Sequence, residues 1–395
     1  MQSGLFPPSP DCGTMQRLRP SHGFDLSAST TLQRLKHDRL LQALLLLTLA
    51  LAIYDPRPAR TYLDWLDVPT LAGLTGLLIL TQGVRASGVI QRWALQLVAR
   101  LHSVRALAIV LVLLAAALAS VLTNDVALFL VVPLTLAVDG IARIPRQRLV
   151  IFEALAVNAG STFSPVGNPQ NLLLWQHSGL SFPGYLAALA PAGAILLGML
   201  LMLCVVAFPA APLQLDEHAM ESPPLNAPLA LAATLLLAGM VAALQWGFAW
   251  QAAVGVLAIG IVFFRRALAG VDWLLLLTFA VMFVGLGHLA AVPAVSTHLH
   301  AFDWRDPRVL YSGGIVLSQL ISNVPAAVLL QHYTHDLTLL AIAANVGGSG
   351  LMVGSLANLI ALRLDGSPRI AWKFHAWSVP FLLVAAVLVA LWALR

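Results

Sequence analysis

The run NAGSTFSPVGNPQNL, from Asn158 to Leu172, returns as NVGGSGLMVGSLANL from Asn345 to Leu359. At one offset of 187 residues, Asn158, Gly160, Val166, Gly167, Asn171 and Leu172 meet the identical Asn345, Gly347, Val353, Gly354, Asn358 and Leu359. Two halves of the chain therefore descend from one ancestor. The surroundings make the duplication restrictive: 59% of residues are hydrophobic and 10% charged, against roughly 25% charged in ordinary soluble domains. Gly, Ser, Asn and Pro interrupt helices and free backbone groups. Within a bilayer such backbone survives only where protein buries it or a wet cavity solvates it. A pair of interruptions at corresponding places in two halves predicts a binding site between two repeats.

Apolar stretches at about 38–54, 68–84, 185–208, 227–244, 248–264, 272–291 and 374–393 approach the length that crosses ~30 Å of hydrocarbon at ~1.5 Å per residue. Arginines in short loops mark the cytoplasmic side. The loop 139–149 (Arg143, Arg146, Arg148) and the segment 85–105 (Arg85, Arg92, Arg100, Arg105) are therefore read as cytoplasmic. Between them 105–138 enters and returns, with Thr123-Asn124-Asp125 at its tip. Ser318-Gln-Leu-Ile-Ser322-Asn323-Val-Pro325 marks a matching hairpin at 308–331. Loops after the two duplicated runs carry opposite signatures: 175–184 has no Arg or Lys, whereas Arg363, Arg369 and Lys373 follow the second run. An inverted repeat produces that pattern. Arg305 and Arg308, beside Asp303 and Asp306 in a loop assigned outside, are the ambiguous datum.

The resulting expectation is an all-α polytopic membrane protein with inverted repeats, two re-entrant hairpins, two broken transmembrane helices and about nine crossings. Residues 1–37 are read as a disordered cytoplasmic tail, 38–208 as the first repeat, 209–226 as a linker and 227–395 as the second repeat with one connecting span. The stretch 88–100 is read as an amphipathic interfacial helix. The expected location is the inner (plasma) membrane, multi-pass, with a cytoplasmic N-terminus and an external C-terminus.

The net charge of +5 arises from basic residues scattered between apolar spans, a topology signal and not a nucleic-acid surface. Two cysteines and no clustered His or carboxylate give neither a disulfide framework nor a metal site. No cofactor is expected beyond Na+ or H+ as a coupling ion. Candidate binding residues are Thr123, Asn124, Asp125, Asn158, Ser161, Thr162, Asn168, Ser322, Asn323, Asn345, Ser349, Ser355 and Asn358. Asn, Ser and Thr donate and accept without bringing a permanent charge, and helix ends at the breaks offer partial charges of both signs. Asn124 and Asn158 with Ser161 and Thr162 are expected to form one cluster, Asn323 and Asn345 with Ser349 the other. Each Asn equally suits helix capping or interhelical bonding, and Gly160, Gly167, Gly347 and Gly354 suit close packing.

Asp125 and Glu153 are the coupling candidates, because an intramembrane carboxylate is costly and by default functional. Their structural alternatives are an N-cap for Asp125 and a pairing of Glu153 with an arginine of 143–148. His288 suits a proton relay or a structural hydrogen bond. A rival reading takes Gly347-Gly-Ser349-Gly350 with His375 as an intramembrane serine protease. It leaves the first copy unexplained.

Thr123-Asn-Asp125-Val-Ala with Pro133, Ser164-Pro-Val-Gly-Asn-Pro-Gln-Asn171, Ser322-Asn-Val-Pro-Ala326 and Val353-Gly-Ser-Leu-Ala-Asn358 resemble the ion transporter superfamily. That group holds arsenite pump membrane subunits, sodium–dicarboxylate symporters and a class of sodium/proton antiporters. The second half looks most like the arsenite branch, the first more like the broader anion and antiporter branches. Thr123-Asn-Asp and Ser322-Asn-Val depart from the Ser-Asn-Thr of dicarboxylate symporters. The resemblance, over most of 38–395, implies a scaffold plus transport domain, a homodimer and alternating access, without enzymatic activity. It implies a secondary transporter of an arsenite-like or carboxylate small anion coupled to H+ or Na+, with a Na+/H+ antiporter of the same fold as the alternative. A cytoplasmic ATPase partner is implied on the arsenite branch alone.

Overall fold

The computed structural model describes residues 39–395 apart from 99, 142–143, 214–223, 264 and 368. The tail, Arg143 and most of the linker lie outside those residues. Among the described residues every named element is a helix, and one isolated bridge joins Ser103 to Pro212. Five helices are long and apolar enough to cross a membrane: Val104–Val121, Phe182–Ala207, Ala227–Gln245, Trp273–Ala291 and Ile370–Ala393. Arg39–Tyr54, Val68–Ala86 and Ala249–Phe263 complete the set read from hydropathy. Side chains cap many of the starts. Asp67 accepts from the Thr70 amide, Ser181 from Gly184, Asn226 from Leu229, Asp272 from Leu275 and Asp336 from Leu339, covering amides that lipid cannot.

Four interrupted units sit at the centre. Val104–Val121 and Asn124–Ile141 pack together across the break Leu122-Thr123, forming a first hairpin; Pro307–Ile321 and Asn323–Leu330 form a second around Ser322 alone. Arms of 18 residues reach ~27 Å in the first hairpin, while the 8-residue returning arm of the second reaches only ~12 Å. The returning arm of the second hairpin is therefore shorter than a full crossing. Two broken helices follow the hairpins, Arg146–Ser161 with Pro169–Ser178, and Leu337–Gly347 with Leu356–Asp365.

The broken helices run antiparallel. Arg146, at the start of the first, donates from Nε to Asp365 Oδ1 at the end of the second, 2.9 Å away. His177, at the end of the first, lines one cavity with Leu337, the start of the second. Both loops rich in basic residues thus meet at one end, where Lys373 Nζ also reaches Gln147 Oε1 at 2.5 Å. The Arg- and Lys-free loops meet at the other end. Arg305 and Arg308 belong to that second end: Tyr333 donates to the Ala290 carbonyl and its ring meets His300. Asp303 and Asp306 are bonded to the backbone amides of Arg305 and Arg308. The helix Val89–Val98 packs on the first hairpin and on Val68–Ala86.

Candidate functional site

The two breaks, 162–168 and 348–355, lie side by side and are tied by asparagines. Asn158 Nδ2 donates to Asn358 Oδ1 at 2.8 Å, and Asn345 Nδ2 donates to Asn171 Oδ1 at 2.7 Å. Each bond is the other with the halves exchanged. The local bonds repeat as well. Asn158 and Asn345 also donate to the carbonyls four residues back, Ala154 at 3.0 Å and Ala341 at 2.8 Å. Asn171 Nδ2 holds the Ser161 and Ser164 carbonyls at 2.9 and 3.2 Å; Asn358 Nδ2 holds Gly348 and Leu351 at the same distances. These carbonyls are freed where each helix unwinds, and the amides recover them in a buried setting that excludes water.

The second half-helices start alike. Asn168 caps Asn171 N at 2.8 Å and Ser355 caps Ala357 N at 3.3 Å. Asn168 Nδ2 also reaches Asn345 Oδ1 at 2.9 Å and Ser161 Oγ at 3.0 Å. Ser161 and Thr162 themselves donate to the Asn158 carbonyl, at 3.1 and 3.0 Å. Those residues are all buried.

Each hairpin docks on a break. Asn124 N donates to Gly167 O at 2.9 Å, and the Asn124 side chain accepts from Asp125 N at 2.9 Å. In the second half the side chain of Gln319 performs the docking, donating to Gly347 O at 2.6 Å and accepting from Leu351 N at 2.7 Å. Glycines permit the approach: a Cβ on Gly160 would lie 2.2 Å from the Ala116 carbonyl, and one on Gly347 2.5 Å from Ser318 Cβ. Close packing is therefore what these two glycines do. A Cβ on Gly348 would meet Asn323 Nδ2 at 2.8 Å and Asn158 Oδ1 at 3.3 Å. Asn323 and Asn158, from different halves, thus converge on one point.

The site residues do not segregate by half as the sequence suggests. Asn158 is bonded to Asn358, and Asn345 to Asn168 and Asn171, because the two antiparallel breaks lie side by side. Ser322 has φ +77° and ψ 154°, a region essentially reserved for glycine. It is the one non-glycine with positive φ among the described residues. Ser349 Oγ is buried without a protein partner among the described residues, and the buried Thr123 hydroxyl faces the Asp125 carboxylate. Asn171 and Gln319 were legible as candidates, the first as half of an identical pair and the second within the Ser318–Pro325 interruption.

Asp125 follows the docked tip. Its amide donates to the Asn124 side chain, and its carboxylate faces the Thr123 hydroxyl and the Asp125 and Val126 amides at the start of the returning arm. Glu153, fully buried, accepts a short hydrogen bond from Thr135 Oγ1, and its second oxygen has no protein partner. No arginine of 143–148 within the described residues pairs with it. Arg146 holds Asp365 and Asp139, and Arg148 donates to the Ala207 carbonyl. His288 stacks on Trp65 with centroids 5.0 Å apart, its Nε2 lies 2.9 Å from the Asp55 carbonyl and 3.8 Å from the Asp55 carboxylate, and its Nδ1 is buried without a partner among the described residues. His375 Nε2 accepts from the Met352 amide at 3.1 Å while Ser349 Oγ has no partner, so no serine–histidine pair exists. No group of three or more His, Cys, Asp or Glu that could hold a metal occurs among the described residues.

Relatives agree with a transporter and not an enzyme. The chain is 42% identical over 361 residues to the inner membrane protein YbiR of Escherichia coli, covering 90% of this chain and 95% of that one. It is 27% identical over 350 residues to the uncharacterized transporter MJ0456 of Methanocaldococcus jannaschii, covering 87% and 94%. A 146-residue stretch is 30% identical to the human P protein, covering 35% of this chain and 17% of that one. The citrate transporter family model matches residues 34–338, well over half of the chain, and the chain belongs to that family of secondary transporters.

Proposed function

We propose that the protein moves a small anion across the inner membrane through a midplane site formed by the two breaks and the two hairpin tips, as an inverted repeat working by alternating access. The observation carrying this reading is the reciprocal exchange of Asn158–Asn358 and Asn345–Asn171 bonds, which puts both unwound segments at one point. Around it, Ser349 Oγ is a buried hydroxyl available to a ligand, the Thr123 hydroxyl faces the Asp125 carboxylate, and four half-helices begin nearby with positive dipole ends. Neither break contains Lys or Arg. Such a site favours a weakly charged anion, or a carboxylate entering with its coupling cation. The family's citrate name supports a carboxylate.

Coupling is assigned to Asp125 and Glu153. Glu153, bonded only to Thr135, suits a proton that is held during one half of the cycle; Asp125, beside the docked tip, suits Na+ or H+. The decisive experiment is uptake by proteoliposomes supplied with citrate, smaller carboxylates or arsenite, under imposed Na+ or pH gradients. Asn124→Ala and Asn323→Ala are each expected to lower uptake at least tenfold. Normal transport by both would remove the site assignment. Na+/H+ exchange with no anion present would favour the antiporter alternative, for which the unpaired Glu153 oxygen is the supporting observation. Glu153→Gln is expected to abolish accumulation driven by a pH gradient while leaving solute exchange at equal pH intact.

A further inference from the structure

At the arginine-rich end, outside the transport site, a cavity of about 570 Å³ opens between the start of the first broken helix and the last span. Its cations are Arg146, Arg148 and Lys373, and Asp139 lines it too. Arg146 is committed: it spans Asp139 at 3.3 Å and Asp365 at 2.9 Å, and reaches Ser367 Oγ at 3.1 Å. Arg148 and Lys373 are not. Arg148 donates to one carbonyl, Ala207, and lies 5.6 Å from the Trp377 ring centroid and 5.8 Å from that of Phe208. Among the described residues Lys373 donates only to the neutral Gln147 amide. Neither forms a salt bridge among the described residues.

Arg148 is held in place by two rings and a carbonyl, yet its guanidinium has five N–H groups. A fixed cation with donors to spare suits the oxygens of a phosphate. Depth supplies the second constraint. Lys373 is the fourth residue of the span Ile370–Ala393, and its neighbour Trp372 is 83% exposed, as an interfacial aromatic would be. Ile144, Ile151 and Trp377 add an apolar wall to the same cavity. Its volume exceeds what a bare anion fills.

We infer that this cavity binds a phosphate-bearing anion at the membrane interface, with Arg148 and Lys373 as the phosphate ligands. A phospholipid headgroup and a soluble organic phosphate share that chemistry; basic pockets between spans on the cytoplasmic side commonly take lipid headgroups. The inference depends on membrane placement and not on the identity of the transported solute.

The test is thermal unfolding of the purified protein in a neutral detergent, titrated separately with short-chain phosphatidylglycerol, phosphatidylcholine of equal chain length, and sn-glycerol 3-phosphate. Phosphatidylglycerol is expected to raise the apparent Tm far more than phosphatidylcholine, since a ligand of the folded state stabilises it. Arg148→Gln and Lys373→Gln are each expected to weaken that binding about fivefold, the equivalent of ~1 kcal/mol per basic residue. A matching response to glycerol 3-phosphate, with the same two dependences, would assign the site to a soluble phosphate. Lys373 is exposed, so Lys373→Gln keeps the test valid if Arg148→Gln fails to fold. Stabilisation by phosphatidylglycerol that is unchanged in Lys373→Gln, or absent altogether together with no response to glycerol 3-phosphate, overturns the inference.

Discussion

At the scale of single residues, each of the two asparagines that begin the second half-helices does three jobs with one amide. Asn358 accepts from Asn158 and donates to the Gly348 and Leu351 carbonyls; Asn171 repeats this against Asn345, Ser161 and Ser164. Asn358→Ala therefore orphans the buried Gly348 carbonyl, removes a donor from the part-buried Leu351 carbonyl and weakens the hold on Asn158. The expected loss is about 1–3 kcal/mol, and Asn171→Ala should lose a similar amount because its bonds are the same. A double-mutant cycle on Asn158 and Asn358, read by thermal unfolding, should show a coupling of about 0.5–2 kcal/mol; additivity would mean the bond carries no energy. The sequence made these residues visible as identical pairs at a fixed offset. It could not show that partners lie across the halves, since Asn158 and Asn358 are 200 positions apart and only the antiparallel packing joins them. Gly160 teaches the same lesson: its lack of a side chain was legible, the Ala116 carbonyl it admits was not.

At the scale of elements, the hairpin tips differ in how they turn. The first spends two residues, Leu122 and Thr123, of which Leu122 is extended, and its Asn124 amide docks on Gly167. The second turns on Ser322 alone and takes a backbone conformation that costs about 1–3 kcal/mol outside glycine. The run Ser322-Asn-Val-Pro announced an interruption, because Pro325 lacks an amide and disfavours helix just before it; the positive φ had no sequence signal, since glycine is absent there. Ser322→Gly is expected to raise stability by about 1 kcal/mol, after the extra unfolded-state freedom of glycine is set against the relieved strain. If that strain holds Asn323 at the junction with Asn158, the same variant should transport more slowly despite being more stable. Ser322→Ala retains the strain and serves as the control. A Ser322→Gly protein that is both no more stable and fully active would show that the tip is relaxed.

At the scale of the whole molecule, the antiparallel broken helices decide sidedness. The start of the first and the end of the second are joined by Arg146 and Asp365, so they must face the same compartment, and basic residues gather there. Hydropathy alone located seven apolar helices, from Arg39–Tyr54 to Ile370–Ala393, to within a few residues, and four of these are among the five helices long and apolar enough to cross a membrane. The first hairpin was harder to read, because arms of 18 residues reach as far as a short crossing and length does not separate a re-entrant loop from two spans. Either path returns the chain to the same side, so the sidedness of the breaks is unaffected. The positive-inside rule predicts a cytoplasmic Arg146 and Asp365 end. Four single substitutions test this: Gln147→Cys and Arg363→Cys at that end, His177→Cys and His335→Cys at the other. The native Cys204 is fully buried and should stay silent, and the second native cysteine, Cys12, is replaced by Ser in all four variants. A membrane-impermeant maleimide added to intact cells is expected to label His177→Cys and His335→Cys only, and inside-out vesicles are expected to reverse the pattern. Labelling of Gln147→Cys and His177→Cys from the same side would break the antiparallel arrangement, and with it the shared midplane site on which the transport reading rests.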